Sequence, residues 1–264
     1  MSDPSGGRRR LPLVLGSGAV VVVAIVAIAI GVNGASSPLA PLPSPTPTAP
    51  VPTPTPSPTP APTAGATIPF ADCATATFGP VLNPINPPAS VHTYSAAPAV
   101  TIDTTKLYQA TIATAKGSIV LCLQPDLAPS TVNVFVTLAR NHYYDGIPFH
   151  RVVAAFVIQG GDPQCIGHVP ALPATPSATC GGGGPGFQFK DEPVHQQYVE
   201  GALAMANSGA ANTNGSQFFI CIANDSTQLA PSYNLFGKVE TGMNIALKIA
   251  QGDLMKSITV REQT

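Results

Sequence analysis

Charge is what this 264-residue chain has least of. Asp, Glu, Lys and Arg make up only 9% of it, against about a quarter in ordinary soluble domains. The formal net charge is −1. There is no basic stripe and no acidic run, so nucleic-acid capture by charge is excluded as a primary function. The glycine-rich stretch GGGGPG at 181–186 lacks a P-loop lysine and reads as a turn rather than a phosphate cradle. Between Arg10 and Asp72 no charged side chain occurs at all. That gap cannot be one globular segment.

Its first part is apolar. Arg8, Arg9 and Arg10 precede LPLVLGSGAVVVVAIVAIAIGV, residues 11–32. As a helix this stretch would rise roughly 33 Å, enough for a hydrocarbon core of about 30 Å. The triple arginine places residues 1–10 in the cytoplasm and the rest of the chain outside. A cleaved signal peptide is the alternative, but its apolar region usually spans only about 7–15 residues. The expectation is a single-pass cell-membrane anchor with an extracytoplasmic C-terminal part, or a secreted protein if the segment is removed.

The second part is proline. Residues 33–69 form a Pro/Thr/Ser-rich linker, with twelve prolines between Pro38 and Pro62. Such a tract buries no core and adopts extended polyproline II, about 3.1 Å per residue. Residues 70–105 mix prolines with Phe70, Phe78, Val81, Leu82, Ile85 and Tyr94. The prolines forbid a long helix or central strand, while the apolar groups exceed what a linker carries. An extended arm packed on a domain surface satisfies both.

From residue 106 to 264 the texture is globular. LYQATIATAKGSIVLCL alternates as two strands joined near Lys116-Gly117. In APSTVNVFVTLARNH, Ser130 or Thr131 can cap a helix whose Val132, Phe135, Val136 and Ala139 share a face. GALAMA, SQFFICIA and LFGKVE read as short buried strands. TGMNIALKIAQGD reads as a second helix, with Met243, Ala246, Leu247 and Ala250 on one side and Gly252 as its stop. KSITVRE closes the domain as a strand. In FHRVVAAFVIQGGDP, strict alternation puts Arg151, Val153, Ala155, Val157 and Gln159 on one face and Phe156 and Ile158 on the other. By composition alone Arg151 and Gln159 are strand-end polar groups and Phe156, Phe218 and Phe219 are core.

Three segments change that reading: FHRVVAAFVIQGGDP at 149–163, GALAMANSGAANTNGSQFFI at 201–220 and YNLFGKV at 233–239. In this order and spacing, with the helix after APSTV and the turn YYDG, the chain resembles the cyclophilins, the peptidyl-prolyl cis-trans isomerases. The resemblance implies a mainly β fold, a closed antiparallel eight-stranded β-barrel capped by two α-helices. It implies rotation of X–Pro bonds in proline-containing, unfolded or exported polypeptides, with no cofactor and no metal, by a monomeric domain. It assigns catalysis to Arg151. To substrate binding it assigns Phe156, Val157, Gln159, Ala206, Asn207, Gln217, Phe219, Leu229 and Tyr233, and it leaves His150 a structural hydrogen bonder. The alternative is a cyclophilin-like module that grips proline segments with little catalysis. A purely wall-spanning structural role leaves the ordered motifs unexplained.

This chain also departs from the family. Ala154-Ala155 replace a usual Pro-Gly pair, so Ala155 carries strain if it must take φ > 0. Val157 stands where methionine is frequent and Tyr233 where histidine is usual. GAANTNGSQ is one residue longer than the usual motif. Gln228 replaces a tryptophan that helps bind cyclosporin in many members, which implies weak sensitivity to that drug. An insertion spans 164–180, bounded by Cys165 and Cys180. Outside the cytoplasm such a pair reads as a disulfide, and a Cys165, His168, Cys180 metal site is the weaker alternative. Of the remaining cysteines, Cys221 is expected as a core thiol, and Cys73 with Cys122 as a second disulfide pinning the arm.

Overall fold

The computed structural model describes residues 66–168 and 180–264. The expected membrane span at 11–32, the linker up to residue 65 and residues 169–179 of the insertion lie outside them. Among the described residues no helix is long and apolar enough to cross a membrane.

The strands form in chain order as β1 (Phe78–Val81), β2 (Tyr108–Thr114), β3 (Gly117–Leu123), β4 (Arg151–Val153), β5 (Val157–Gly160), β6 (Ala202–Met205), β7 (Phe218–Cys221), β8 (Leu235–Thr241) and β9 (Ser257–Gln263). Two helices join them, α1 (Pro129–Arg140) and α2 (Met243–Ala246). The fold is mainly β, as expected, but the barrel needs correction. The described strands make one nine-stranded antiparallel sheet, ordered β1-β9-β2-β3-β8-β6-β7-β5-β4. Hydrogen bonds do not close it. The extra strand comes from the arm, whose β1 adds outside β9. At the other edge β4 is only three residues long and pairs with β5 alone.

Alternation builds the core. In β2 every second residue, from Tyr108 to Thr114, is buried, because one side of a strand faces the interior. Ala110, Ile112, Leu121, Leu123, Ile158, Leu203, Ile220, Phe236, Ile258 and Val260 join the apolar side of α1 in a single cluster. Phe135 of α1 is the hub, stacking at 5.2–5.3 Å with Tyr144, Phe218 and Phe236.

Helix α1 is buried on more than its predicted face. Thr131, Asn133, Val134, Thr137 and Leu138 are covered as well, since the arm crosses its other side. The Asn133 carboxamide accepts from Thr101 N at 2.9 Å and donates to Ala99 O at 3.1 Å. Asn141 Oδ1 likewise accepts from Ile85 N at 2.7 Å. The expected caps at Ser130 or Thr131 are not used. Ala128 occupies the cap position without a side-chain bond, and Pro129 starts the helix. The Glu192 carboxylate accepts from Ser130 N and Thr131 N instead, at 2.9 and 2.8 Å.

The second helix is also corrected. It spans only Met243–Ala246, and Leu247, predicted to face inward, is 54% exposed. Cys73–Cys122 and Cys165–Cys180 are both disulfides, and Cys221 is a buried free thiol. Beside the first bridge, Gln124 donates to Pro69 O and accepts from Ala71 N, holding the start of the arm against β3.

Candidate active site

The stretch read as one alternating strand is a hairpin. Val153 pairs with Val157, leaving Ala154, Ala155 and Phe156 as its loop. Phe156 N donates to Val153 O at 3.1 Å, and Ala155 takes φ = +54°. This left-handed residue overturns the expected alternation. Ala155 moves into an exposed turn, and Phe156 swings from the Ile158 side to that of Val157. Ile222 N, donating to Phe156 O at 2.7 Å, fixes it there.

Register then assembles a row across the sheet. Arg151 pairs with Gln159, Gln159 with Phe219, and Phe219 with Ala204. Paired residues share a face, so a guanidinium, an amide and an aromatic ring stand side by side. Opposite them the same strands turn Ile158, Ile220 and Leu203 into the core. The outward face carries its own apolar cluster of Val157, Ala204, Phe219, Cys221 and Leu235, with Phe156, Leu229 and Tyr233 packed on it.

All ten sequence-predicted residues, Arg151, Phe156, Val157, Gln159, Ala206, Asn207, Gln217, Phe219, Leu229 and Tyr233, line one groove of roughly 1240 Å³. Its apolar end is firm. Val157 and Phe219 are 2% and 5% exposed. The Phe219 and Tyr233 rings meet edge to face at 5.4 Å. Its polar end is a directed chain: Arg151 Nη1 donates to Gln159 Oε1 at 3.3 Å, and Gln159 Nε2 donates to Gln217 Oε1 at 3.0 Å. The Arg151 guanidinium carbon lies 5.7 Å from the Phe156 ring centre. Among the described residues no carboxylate forms an ion pair with it. Its hydrogen-bonding capacity is therefore not spent on a counter-ion. Asn207 is held through its side chain, donating to Ser232 O at 2.9 Å and accepting from Gly209 N.

His150 hydrogen-bonds the Gln217 side chain and is a structural group of the polar end. It is 3% exposed, and burial, the largest influence, lowers its pKa and favours the neutral ring. Cys221 lies under the apolar end, where burial pushes its thiol pKa up, so it is a packed side chain rather than a nucleophile.

Some supporting residues escaped sequence reasoning. The Tyr198 hydroxyl donates to Tyr233 O at 2.8 Å and accepts from Tyr233 N at 3.0 Å, fixing the groove rim. Nothing local signals this, since the contact spans 35 positions. Buried Asp162 and the carbonyls of Gly181 and Gly183 sit behind Gln217. Within GGDP nothing local signals this role for Asp162.

Comparison with known proteins identifies the family. Residues 109–263 match the family model described as cyclophilin type peptidyl-prolyl cis-trans isomerase/CLD. A peptidyl-prolyl cis-trans isomerase of Helicobacter pylori (strain ATCC 700392 / 26695) is 40% identical over 157 residues, 58% of this chain and 86% of that protein. Peptidyl-prolyl cis-trans isomerase B of Bacillus subtilis (strain 168) is 39% identical over 140 residues, covering 52% of this chain and 87% of the relative. A crystal structure of a cyclophilin type isomerase from Cryptosporidium parvum aligns with TM-score 0.49 at 28% identity, over 58% of this chain and 97% of that one. The family match takes in more than half of the chain, which belongs to the cyclophilin-type peptidyl-prolyl cis-trans isomerases.

Proposed function

We propose that Arg151 accelerates X–Pro rotation in exported polypeptides by stabilising the twisted transition state. Amide resonance gives the bond a barrier of about 18–20 kcal/mol. Twisting it localises a lone pair on the proline nitrogen, and a donor aimed there stabilises the twisted form more than the planar one. Arginine suits this role because its charge is permanent and its planar fork is rigid. The proline ring would rest against Phe156, Val157, Phe219 and Leu229, with Tyr233 at the rim, while the preceding carbonyl swings. Ala206 and Asn207 would border the substrate chain, and Gln159 and Gln217 would orient the guanidinium.

The observation that carries this reading is the juxtaposition of Arg151, free of any carboxylate among the described residues, with a firm apolar hollow along one groove. Protease-coupled isomerisation of a proline-containing tetrapeptide tests it. Arg151→Ala should lower kcat/KM by about 100-fold, the usual scale for a transition-state donor. An unchanged rate in a folded variant removes Arg151 from the mechanism.

The same reading places the domain outside the cytoplasm, tethered through residues 11–32. Support comes from the charge-free apolar run after Arg8–Arg10 and from two disulfides, which persist in oxidising compartments. Protease digestion of intact cells tests it: the domain should be lost while a cytoplasmic marker survives.

A further inference from the structure

Asp162 joins both flanks of the insertion. Its carboxylate is fully buried. Oδ1 accepts from Gln164 N at 2.8 Å, starting the short turn Pro163–Cys165. Oδ2 accepts from Gly181 N at 2.7 Å and Gly183 N at 2.8 Å. The Cys165–Cys180 bridge, with Cα atoms 4.5 Å apart, ties the same flanks covalently. Gly183 has no room for a side chain: a Cβ there would overlap Asp162 Oδ1 and crowd Gln164. The glycine run thus fits its backbone against the clamp.

The other side of that backbone meets the groove. Gly183 O and Gly181 O accept from Gln217 Nε2 at 2.8 and 3.1 Å. An amide group donates from one end and accepts at the other, so these carbonyls fix which way Gln217 faces. Its Oε1 must turn toward Gln159 Nε2, which in turn leaves Gln159 Oε1 for Arg151. Were Gln217 to reverse, two NH₂ groups would oppose each other and the order would fail down to the guanidinium.

We propose that the Cys165–Cys180 disulfide is a positioning device for the isomerase reaction. With Asp162, it holds the Gly181 and Gly183 carbonyls in place, and through Gln217 and Gln159 it sets the direction of Arg151. The proposal rests on Arg151 being the catalytic group. Four consecutive glycines, 181–184, lose more backbone freedom on ordering than any other residues would. A covalent link at their first neighbour, Cys180, limits that freedom. Neither sulfur lines the groove, so the bridge acts by orientation rather than by substrate contact.

The test is a double-mutant cycle in the full chain, with kcat and KM measured on a proline-containing tetrapeptide. Cys165→Ser/Cys180→Ser is expected to lower kcat about fivefold, the scale of one lost hydrogen bond, and to leave KM unchanged. Gln217→Ala should lower kcat by at least as much, and combining the two changes should add nothing further. A wild-type kcat in the disulfide variant, a rise in KM alone, or a fully additive loss overturns the proposal. Should that variant fail to fold, Gly181→Ala strains the φ = +92° acceptor backbone without touching a sulfur. It should show the same kcat loss, absorbed by Gln217→Ala; an independent loss or none overturns the proposal. Nuclear magnetic resonance of the Gln217 side-chain amide separates this coupling from the role of Arg151. That signal should shift and broaden when the bridge is removed, even if Arg151→Ala proved harmless, and an unmoved signal means no coupling.

Discussion

Ala155 holds φ = +54°, where a side chain crowds the following carbonyl. The backbone nevertheless adopts the turn, because Val153 and Val157 are locked in register on either side. Ala155→Gly should therefore stabilise the domain by about 0.5–1 kcal/mol, the strain released less glycine's greater unfolded freedom. Chemical denaturation measures it, and a loss of stability would mean the turn is unstrained. His150 gives a second prediction at this scale. Burial holds its folded pKa below the unfolded value of about 6.5. Its contribution is therefore present above about pH 6.5 and is lost as pH falls through the depressed folded value. Melting temperature should decline on acidification across that window, with a shallower decline in His150→Asn. That Arg151 and Gln159 share a face followed from strand spacing, whereas their pairing across a hairpin and the side taken by Phe156 did not. One left-handed residue reverses the alternation, and φ is not written in the amino-acid letters.

Elements were legible where the pattern was long or strongly marked. The hairpin of β2 and β3, strands β6 to β9 and helix α1 all lie where periodicity put them. Ends and partners were not. Helix α1 offers Ser and Thr near its start, yet its first amides bond to Glu192, sixty-two positions from Ser130. A carboxylate at a helix N-terminus makes charge-assisted bonds and complements the dipole. Glu192→Ala should cost about 1–2 kcal/mol, and Glu192→Gln less, as read from urea midpoints. Equal stability in all three proteins would show that the cap contributes nothing. Helix α2 is shorter than its pattern because an apolar face persists only where something packs against it. Ala246 is buried, but Leu247 meets solvent.

At the scale of the molecule, the arm adds a ninth strand to a sheet that hydrogen bonds do not close. Its β1 extends the β9 edge, and its later residues satisfy Asn133 and Asn141 on α1. The Cys73–Cys122 bridge closes a separation of 49 positions, for which the chain-entropy relation gives about 4 kcal/mol. Cys73→Ser/Cys122→Ser should lose about 2–4 kcal/mol while keeping kcat, because neither cysteine approaches the groove. Calorimetry with a parallel isomerase assay checks both parts, and a selective loss of kcat would connect the arm to the site.

Taken alone, the residue order determined the family and the ten groove-lining positions and led to the expected pairing of four cysteines, because ordered motifs and composition are local properties of the chain. Only the tertiary structure decided which face Phe156 occupies, which carboxylate caps α1, and that a glycine run tied to a disulfide stands behind Gln217. Those outcomes depend on backbone angles and on contacts between residues far apart in the chain. Such contacts form only when burial of the whole core compensates the entropy of bringing them together.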